Sequence, residues 1–476
     1  MNTQDKRKFY IDGAWVEPLQ PGDFDVLNPA TEEAVATISM GSAEDINLAV
    51  SAARNAFASF SISSRKERLE LLQSILAVYQ KRYDEMVATI TLELGAPVSM
   101  SRRSQAAVGV SHLEGFLKAL ESFNFRQRLH SGDTLVREPI GVCGLITPWN
   151  WPVNQVVLKV LPALATGCTM VLKPSELTPL SAMLYAEILH EAGCPPGVFN
   201  LVNGEGPIAG AALSRHPDVD MMSFTGSTRA GIAVSRDAAE TVKKVALELG
   251  GKSPNILFAG ADVEKAVKRG VYGCFYNSGQ SCNAPTRMLV ERSIYPEVLE
   301  IAQSIAANQQ VGDPSQEGRH IGPVVSALQF ERIQTLIDAG IREGATVLAG
   351  GPGKPDGFAT GYYVKPTIFC DVRNDMRVAQ EEIFGPVLVI IPFEDEAEAI
   401  RIANDTPYGL AAYVETLDTG QAERVAEQLR AGQVYINGVE CAVDSPFGGY
   451  KLSGLGREGG VHGLDEFLEV KVISRH

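Results

Sequence analysis

The sequence lacks any long apolar run. Nowhere do about 18 uncharged apolar residues stand together, so no membrane-spanning helix is expected. The first stretch, Met1 to Trp15, is charged and has no apolar centre of the secretory kind. Cysteine is sparse and scattered: Cys143, Cys168, Cys194, Cys274, Cys282, Cys370 and Cys441, with no CxxC among them. An odd count at wide spacing does not make a disulfide framework, and a reducing, cytoplasmic setting is expected. Basic charge is also short, 42 Lys and Arg against 57 Asp and Glu, for a net charge of −15. That excludes a general nucleic-acid surface. It leaves room for an anionic cofactor held by backbone N–H groups and one or two cations. No internal repeat, low-complexity tract or metal site is evident.

What is present is the composition of a folded globular chain: 476 residues, 45% hydrophobic, 21% charged. The length fits about three domains or lobes. Apolar residues recur at helical spacing through Ile46, Val50, Ala53 and Phe57, behind a capping box opened by Ser42 and Asp45. A second stripe runs through Leu69, Leu72, Leu76, Tyr79 and Tyr83, and residues 102–123 read as a further helix. The polar stretch 124–139 reads as an excursion from the main body and a subunit contact. From 141 to 258, short apolar strands (142–146, 169–172, 198–202, 219–224, 244–247 and 255–258) alternate with helical segments. A second alternating block follows to about residue 437, and the tail 467–474 alternates as an edge strand does. Such alternation predicts βαβ units and mostly parallel sheets, whose ligands sit beyond the carboxyl ends of the strands.

One stretch stands apart, Tyr276-Asn-Ser-Gly-Gln-Ser-Cys282-Asn283. Its thiol is surrounded by polar hydrogen-bonding residues rather than by an apolar run, a setting for a thiol that a ligand must reach. Four others end predicted strands. In Thr147-Pro-Trp149-Asn150-Trp151-Pro, the Asn150 amide is either an Asx-turn group or a donor to a developing oxyanion. In Lys173-Pro-Ser175-Glu176, a cation and a carboxylate three residues apart could grip two hydroxyls of a ribose, or form a surface ion pair. Phe224-Thr-Gly226-Ser227-Thr-Arg-Ala-Gly231 is a small-residue turn that opens a helix, offering free N–H groups to a pyrophosphate. In Glu248-Leu249-Gly-Gly, a carboxyl between apolar and glycine residues could have a raised pKa and act as a base near neutrality. Further on, Glu381-Glu382-Ile-Phe384-Gly-Pro sets carboxylates and an aromatic beside a turn. The literal GxGxxG at Gly454–Gly459 follows no strand of a βαβ unit and is set aside as a chance match. Gly350–Gly357, rich in proline, reads as a plain hairpin connection.

Together these stretches resemble the aldehyde dehydrogenase superfamily, in order and spacing, from Phe9-Tyr-Ile-Asp-Gly-Ala-Trp to Pro446-Phe447-Gly-Gly-Tyr-Lys-Leu-Ser-Gly. The resemblance implies an α/β fold: a Rossmann-like cofactor domain (1–123 and 140–250), a related α/β catalytic domain (251–450) and a small bridging β-element (124–139 and 464–476) that makes a homotetramer or homodimer. It implies Cys282 as nucleophile, Glu248 as general base, and Asn150 with the Cys282 N–H as oxyanion hole, with Lys159 near the base. Lys173 and Glu176, with Ser175, would hold the adenosine ribose, and Gly226 and Ser227 the pyrophosphate. Glu382 would hold the nicotinamide ribose with Phe384 near the ring. Ile146, Thr147, Trp149, Gly206, Phe224, Gly231 and Leu249 are further cofactor-lining positions. Trp151, Tyr276, Ser281, Asn283 and Phe447 would line the substrate tunnel, together with Asn154 and Gln155. Arg103 and Arg287 are the arginines open to a substrate carboxylate.

The reaction implied is NAD-dependent oxidation of an aldehyde to the acid through a thiohemiacetal and a thioester. The Glu176 carboxylate would repel a 2′-phosphate, so NAD rather than NADP is expected. The presence of Glu248 implies hydrolysis rather than transfer to coenzyme A. The stretch around Cys282 resembles a bacterial branch acting on ω-oxo acids and semialdehydes.

Overall fold

The computed structural model describes residues 3–474. Two sheets dominate it. In the first, strands Val142–Ile146, Thr169–Lys173, Phe199–Leu201, Met221–Thr225 and Lys244–Glu248 are parallel. Numbered along the chain, their spatial order is 3-2-1-4-5. The order reverses between Val142–Ile146 and Met221–Thr225, and a crevice opens there beyond the carboxyl ends of the strands. Antiparallel strands close both edges: Phe9–Ile11 and Ala14–Val16 on one side, Gly454–Leu455 on the other. The parallel strands are buried along their whole length apart from the start of Lys244–Glu248, as sheets covered on both faces require.

The second sheet is parallel through Thr367–Cys370, Val387–Phe393, Arg287–Glu291, Pro254–Leu257, Ala411–Glu415 and Gln433–Ile436. Thr346–Ala349 adds antiparallel at one edge. The connection through Gly350–Gly357 therefore joins an antiparallel pair, as its turn chemistry predicts. A three-stranded antiparallel sheet pairs Arg126–Arg128 with Thr134–Pro139, and that strand with Leu468–Ile473. Stretch 124–139 and the tail are thus one element. Val470 and Val472 on its edge strand are more than half exposed. Among the described residues no helix is long and apolar enough to cross a membrane.

Local residues set several of the helix ends. The capping box of Ser42 and Asp45 is formed. Helix Pro152–Thr166 begins with proline, whose missing N–H is no loss in a first turn, and ends at Gly167 with φ 92°. Only Asn154 of its residues escapes full burial. Stretch 102–123 departs from the expected regular helix. A π-turn, Ser101–Gln105, precedes helix Ala107–Ser122. The wider turn lets the buried Gln105 amide donate to the Asn150 carbonyl at 3.1 Å and to Asn277 Oδ1 at 3.3 Å.

Glu93 is a buried carboxylate serving another segment. It accepts from the N–H groups of Leu180 (2.6 Å) and Ser181 (3.0 Å), the free donors at the start of helix Leu180–Glu191. Burial pushes its carboxyl up to about 7, against the pull of those donors. A folded-state pKa above the unfolded one means its contribution is full below the ordinary carboxylate range and is lost as pH rises through about 7. Glu93→Ala strands two buried donors and is expected to cost about 3 kcal/mol at pH 5. Urea denaturation at pH 5 and pH 8 checks this, with the gap between wild type and variant narrowing at the higher pH.

Candidate active site

The crevice of the first sheet meets the amino ends of the second. A cleft of about 640 Å³ lies there, lined from the first sheet by Trp149, Asn150, Gln155, Gly226, Ser227, Glu248 and Leu249. Cys282, Glu382, Phe384, Gln329 and Arg332 line it from the other side. Stretches far apart in the chain are thus brought to one place.

The thiol is carried by a strained turn. Asn277 and Ser278 have φ near 52° and 55°, a region disfavoured for side-chain-bearing residues, and Gly279 follows at 74°. A Cβ on Gly279 would fall 2.0 Å from the Gly385 backbone, so only glycine fits. Polar bonds hold the turn. Asn277 Nδ2 donates to the carbonyls of Asn150 (2.9 Å) and Gln280 (3.1 Å), Ser278 donates to Gly322, and Val325 N–H donates to Gln280 Oε1. Asn150 Nδ2 gives one hydrogen to the Gln280 carbonyl at 3.0 Å, leaving its second for the cleft. Cys282 is half-buried. Burial, then the charges of Glu382 and Glu248, push its thiol well above the ordinary range. The backbone N–H groups of Asn283 and Cys282 oppose that shift.

Glu248 ends strand Lys244–Glu248, is 4% exposed, and leaves Oε2 without a partner. Burial raises its pKa well above the usual carboxylate value. The charge of Glu458 adds to this, while Lys159 and Arg457 pull it back. Lys159 lies one turn beyond Gln155 on helix Pro152–Thr166. Its ammonium is bonded to Glu458 Oε1 at 2.6 Å and Ser223 Oγ at 3.0 Å, all buried. Glu458 is a residue the sequence reading missed, although it sits inside the discarded Gly454–Gly459 match. The signal was there as a carboxylate between glycines, hidden by a phosphate-loop pattern that led elsewhere.

The expected cofactor groups form two neighbourhoods. At the catalytic end, Glu382 Oε1 accepts from Gly251 N–H at 3.0 Å, and burial raises its pKa. Phe384 has φ 58° and is held by Gln329, whose amide donates to its carbonyl at 2.9 Å. Its ring meets Trp149 edge-on at 5.2 Å. Gln329 and Arg332 carried no sequence motif. At the far end, Lys173 pairs with Glu176 at 3.5 Å and donates to the Gly204 carbonyl, beside the turn Gly206–Gly210. Ile146 and Lys173 both lie against Gly210, while Thr147 and Ser175 are buried on the connections after their strands. Ser227 caps helix Thr228–Ala239, accepting from Ala230 N–H. Gly231 and Leu249 pack together, as do Gly226 and Phe224.

Of the expected substrate residues, Trp151 donates from its indole to Ser281 Oγ at 2.9 Å and packs against Tyr276, 6.2 Å between ring centres. The Asn283 carbonyl accepts from Tyr413, and Phe447 exchanges backbone bonds with Glu458. None of these five lines the cleft at the thiol; they lie to one side of it. Arg287 is fully buried and spends its guanidinium on the carbonyls of Lys252, Ile402 and Ala403 and on Asn374, which removes it as a carboxylate ligand.

Compared with known protein families, residues 15–473 match the "Aldehyde dehydrogenase family". The chain belongs to that family. It is 53% identical to a 3-succinoylsemialdehyde-pyridine dehydrogenase of a Pseudomonas species, over 99% of this chain and 98% of the relative. A crystal structure of an aldehyde dehydrogenase from Bartonella henselae superposes with a TM-score of 0.98 at 54% identity, covering 99% of this chain and all of that one. A Pseudomonas syringae aldehyde dehydrogenase mutant in complex with NAD+ and octanal superposes at 0.97 and 51% identity, covering 98% and 96%. Membership in the aldehyde dehydrogenase family makes the chain an oxidoreductase with the fold shared by these structures.

The buried ion pair under the cleft gives a stability prediction. Lys159→Met leaves the buried Glu458 without its partner, and is expected to cost about 3–5 kcal/mol. Adding Glu458→Gln should recover most of that loss in urea titrations, as the two groups act as one unit.

Proposed function

We propose that the chain oxidises an aldehyde to its carboxylic acid with NAD, using Cys282 as nucleophile and Glu248 as base. The observation that carries this reading is the convergence of thiol and unpartnered carboxyl on one cleft at the strand-order reversal. Cofactor groups fit the residues present. The orphaned Thr225 Oγ1 and Glu248 Oε2 face no protein partner, and the turn before helix Thr228–Ala239 presents free N–H groups. Gly226 and Ser227 would hold a pyrophosphate, Lys173 and Glu176 one ribose, and Glu382 the other.

The chemistry follows from the chain's own groups. The thiol, held protonated by burial, loses its proton to an acceptor in the cleft and attacks the carbonyl carbon. The second Asn150 hydrogen and the Cys282 N–H stabilise the oxyanion, each such donor contributing on the order of 3 kcal/mol. These side chains supply no hydride acceptor, which is the chemistry NAD provides when bound. After hydride loss the carbon is a thioester on Cys282. Glu248 takes a proton from water, which hydrolyses the thioester and frees the thiol. Ser223, Lys159 and Glu458 continue the polar network beneath that carboxyl. The substrate proposed is an ω-oxo acid or semialdehyde. This reading is supported by a cleft lining that mixes the rings of Trp149 and Phe384 with the amides of Asn150 and Gln155, and by the relative named for a semialdehyde.

Cys282→Ala should abolish NADH formation. Glu248→Gln should retain one burst of NADH per subunit while steady turnover falls by about 10²–10⁴. Because burial holds Glu248 protonated above the ordinary carboxylate range, wild-type turnover should rise with pH through that region, a limb absent in Glu248→Gln. Rapid-mixing and steady-state assays read both effects, and an unchanged Glu248→Gln rate would remove Glu248 from the mechanism. For the cofactor, kcat/KM with NAD should exceed that with NADP by about tenfold or more, since Glu176 repels a 2′-phosphate. Glu176→Gln should narrow the gap, measured with each cofactor below saturation.

A further inference from the structure

Beside the thiol cleft lies a second and larger one, of about 1230 Å³, with Tyr276 in its wall. Arg103, Lys268 and Arg319 line it, and no Asp or Glu does. In a chain of net charge −15 this is a local reversal of sign. All three cations are exposed, and among the described residues none forms an ion pair. Their chain neighbours do: Arg102 holds Asp84 at 2.6 Å, and Arg269 pairs with Glu415. The apolar part of the wall includes aromatic rings. Tyr272 and Tyr276 are each 43% exposed, large rings left open where a body could lie.

One partition stands between the two clefts. Tyr276 lines the second cleft and packs on Trp151, whose indole is bonded to Ser281, the residue before the thiol. The Tyr276 hydroxyl is tied to Ser104 Oγ, which fixes the ring next to Arg103. Arg103 and Glu440 act on that hydroxyl with opposite sign. Glu317 acts on Arg102, and His320 is turned to the Asp313 carbonyl. Glu440, Glu317 and Asp313 stay outside the lining.

The geometry points to this cleft as the recognition site for an anionic group at the far end of the aldehyde, with Arg103, Lys268 and Arg319 as its cations. The inference rests on aldehyde oxidation at Cys282, and adds where a carboxylate tail is held and by which residues. An aldehyde carbon at the thiol and a chain laid across Trp151 and Tyr276 would bring a terminal carboxylate to these cations. Exposed cations of this kind steer an anion and are screened by salt. They discriminate by charge rather than by shape.

The test compares octanal with 8-oxooctanoate, aldehydes of equal chain length that differ by one terminal carboxylate. In wild-type protein at low salt, kcat/KM for 8-oxooctanoate should exceed that for octanal by about tenfold, and the preference should shrink in 0.5 M NaCl. In the Arg103→Glu/Lys268→Glu/Arg319→Glu variant the preference should reverse while octanal oxidation stays within about twofold, as surface changes away from the thiol allow. Single Lys268→Gln and Arg319→Gln variants, each at an exposed position, should show partial losses confined to 8-oxooctanoate. Equal rates for the two aldehydes in wild type, or a preference untouched by salt and charge reversal, would overturn the tail site while leaving aldehyde oxidation standing. Oxidation of neither aldehyde, nor of a broader aldehyde panel, would instead overturn the proposed function and this site with it.

Discussion

A carboxyl group buried at the end of a strand, with one oxygen left without a partner, is the constraint on which this molecule turns. Burial alone would simply keep Glu248 neutral. Its charged neighbours pull that proton in both directions. Lys159 and Arg457 favour the charged form, Glu458 opposes it, and the ammonium of Lys159 is itself anchored between Glu458 and Ser223. Partly satisfied polar networks are expensive in a dry interior. The first sheet meets that expense by surrounding the group with strands buried almost throughout and with a helix, Pro152–Thr166, buried on nearly every side.

The thiol faces a related difficulty from the opposite side. The charges that act on the Cys282 thiol are those of carboxylates, Glu382 and Glu248, and both hold its proton on. Its reactivity therefore depends on where it is held more than on its resting charge. That explains the rigidity of the turn behind it. Three successive residues with positive φ, and Gln280 after them, are kept in place by Asn150 from one segment and by Gly322 and Val325 from another. Strain of this sort persists only where the surroundings over-determine it.

Much of this was legible in the sequence, and for identifiable reasons. Alternating strands and helices gave the parallel sheets, because a buried parallel strand must be continuously apolar. Polar residues around Cys282 and the small-residue turn at Gly226 marked two stretches that the fold brings to one cleft, because their chemistry is local. Two kinds of feature were not legible. Gln329 and Arg332 reach the cleft from helix Ala327–Arg342, whose apolar periodicity says only that one face is buried. Glu458 acts through Lys159, a partner 299 residues away, and a pattern match drew attention from it. The π-turn at Ser101–Gln105 was hidden in the same way, since the need for a wider turn comes from Asn150 and Asn277, not from the helix itself.

The contact between Gly279 and Gly385 has a consequence for how such a chain can change. One glycine stands three residues before Cys282 and the other directly follows Phe384, yet their backbones touch too closely for a side chain on Gly279. The two loops thus share a single steric allowance. A shift in one is transmitted to the other, so the thiol and the aromatic wall across the cleft must drift together or not at all.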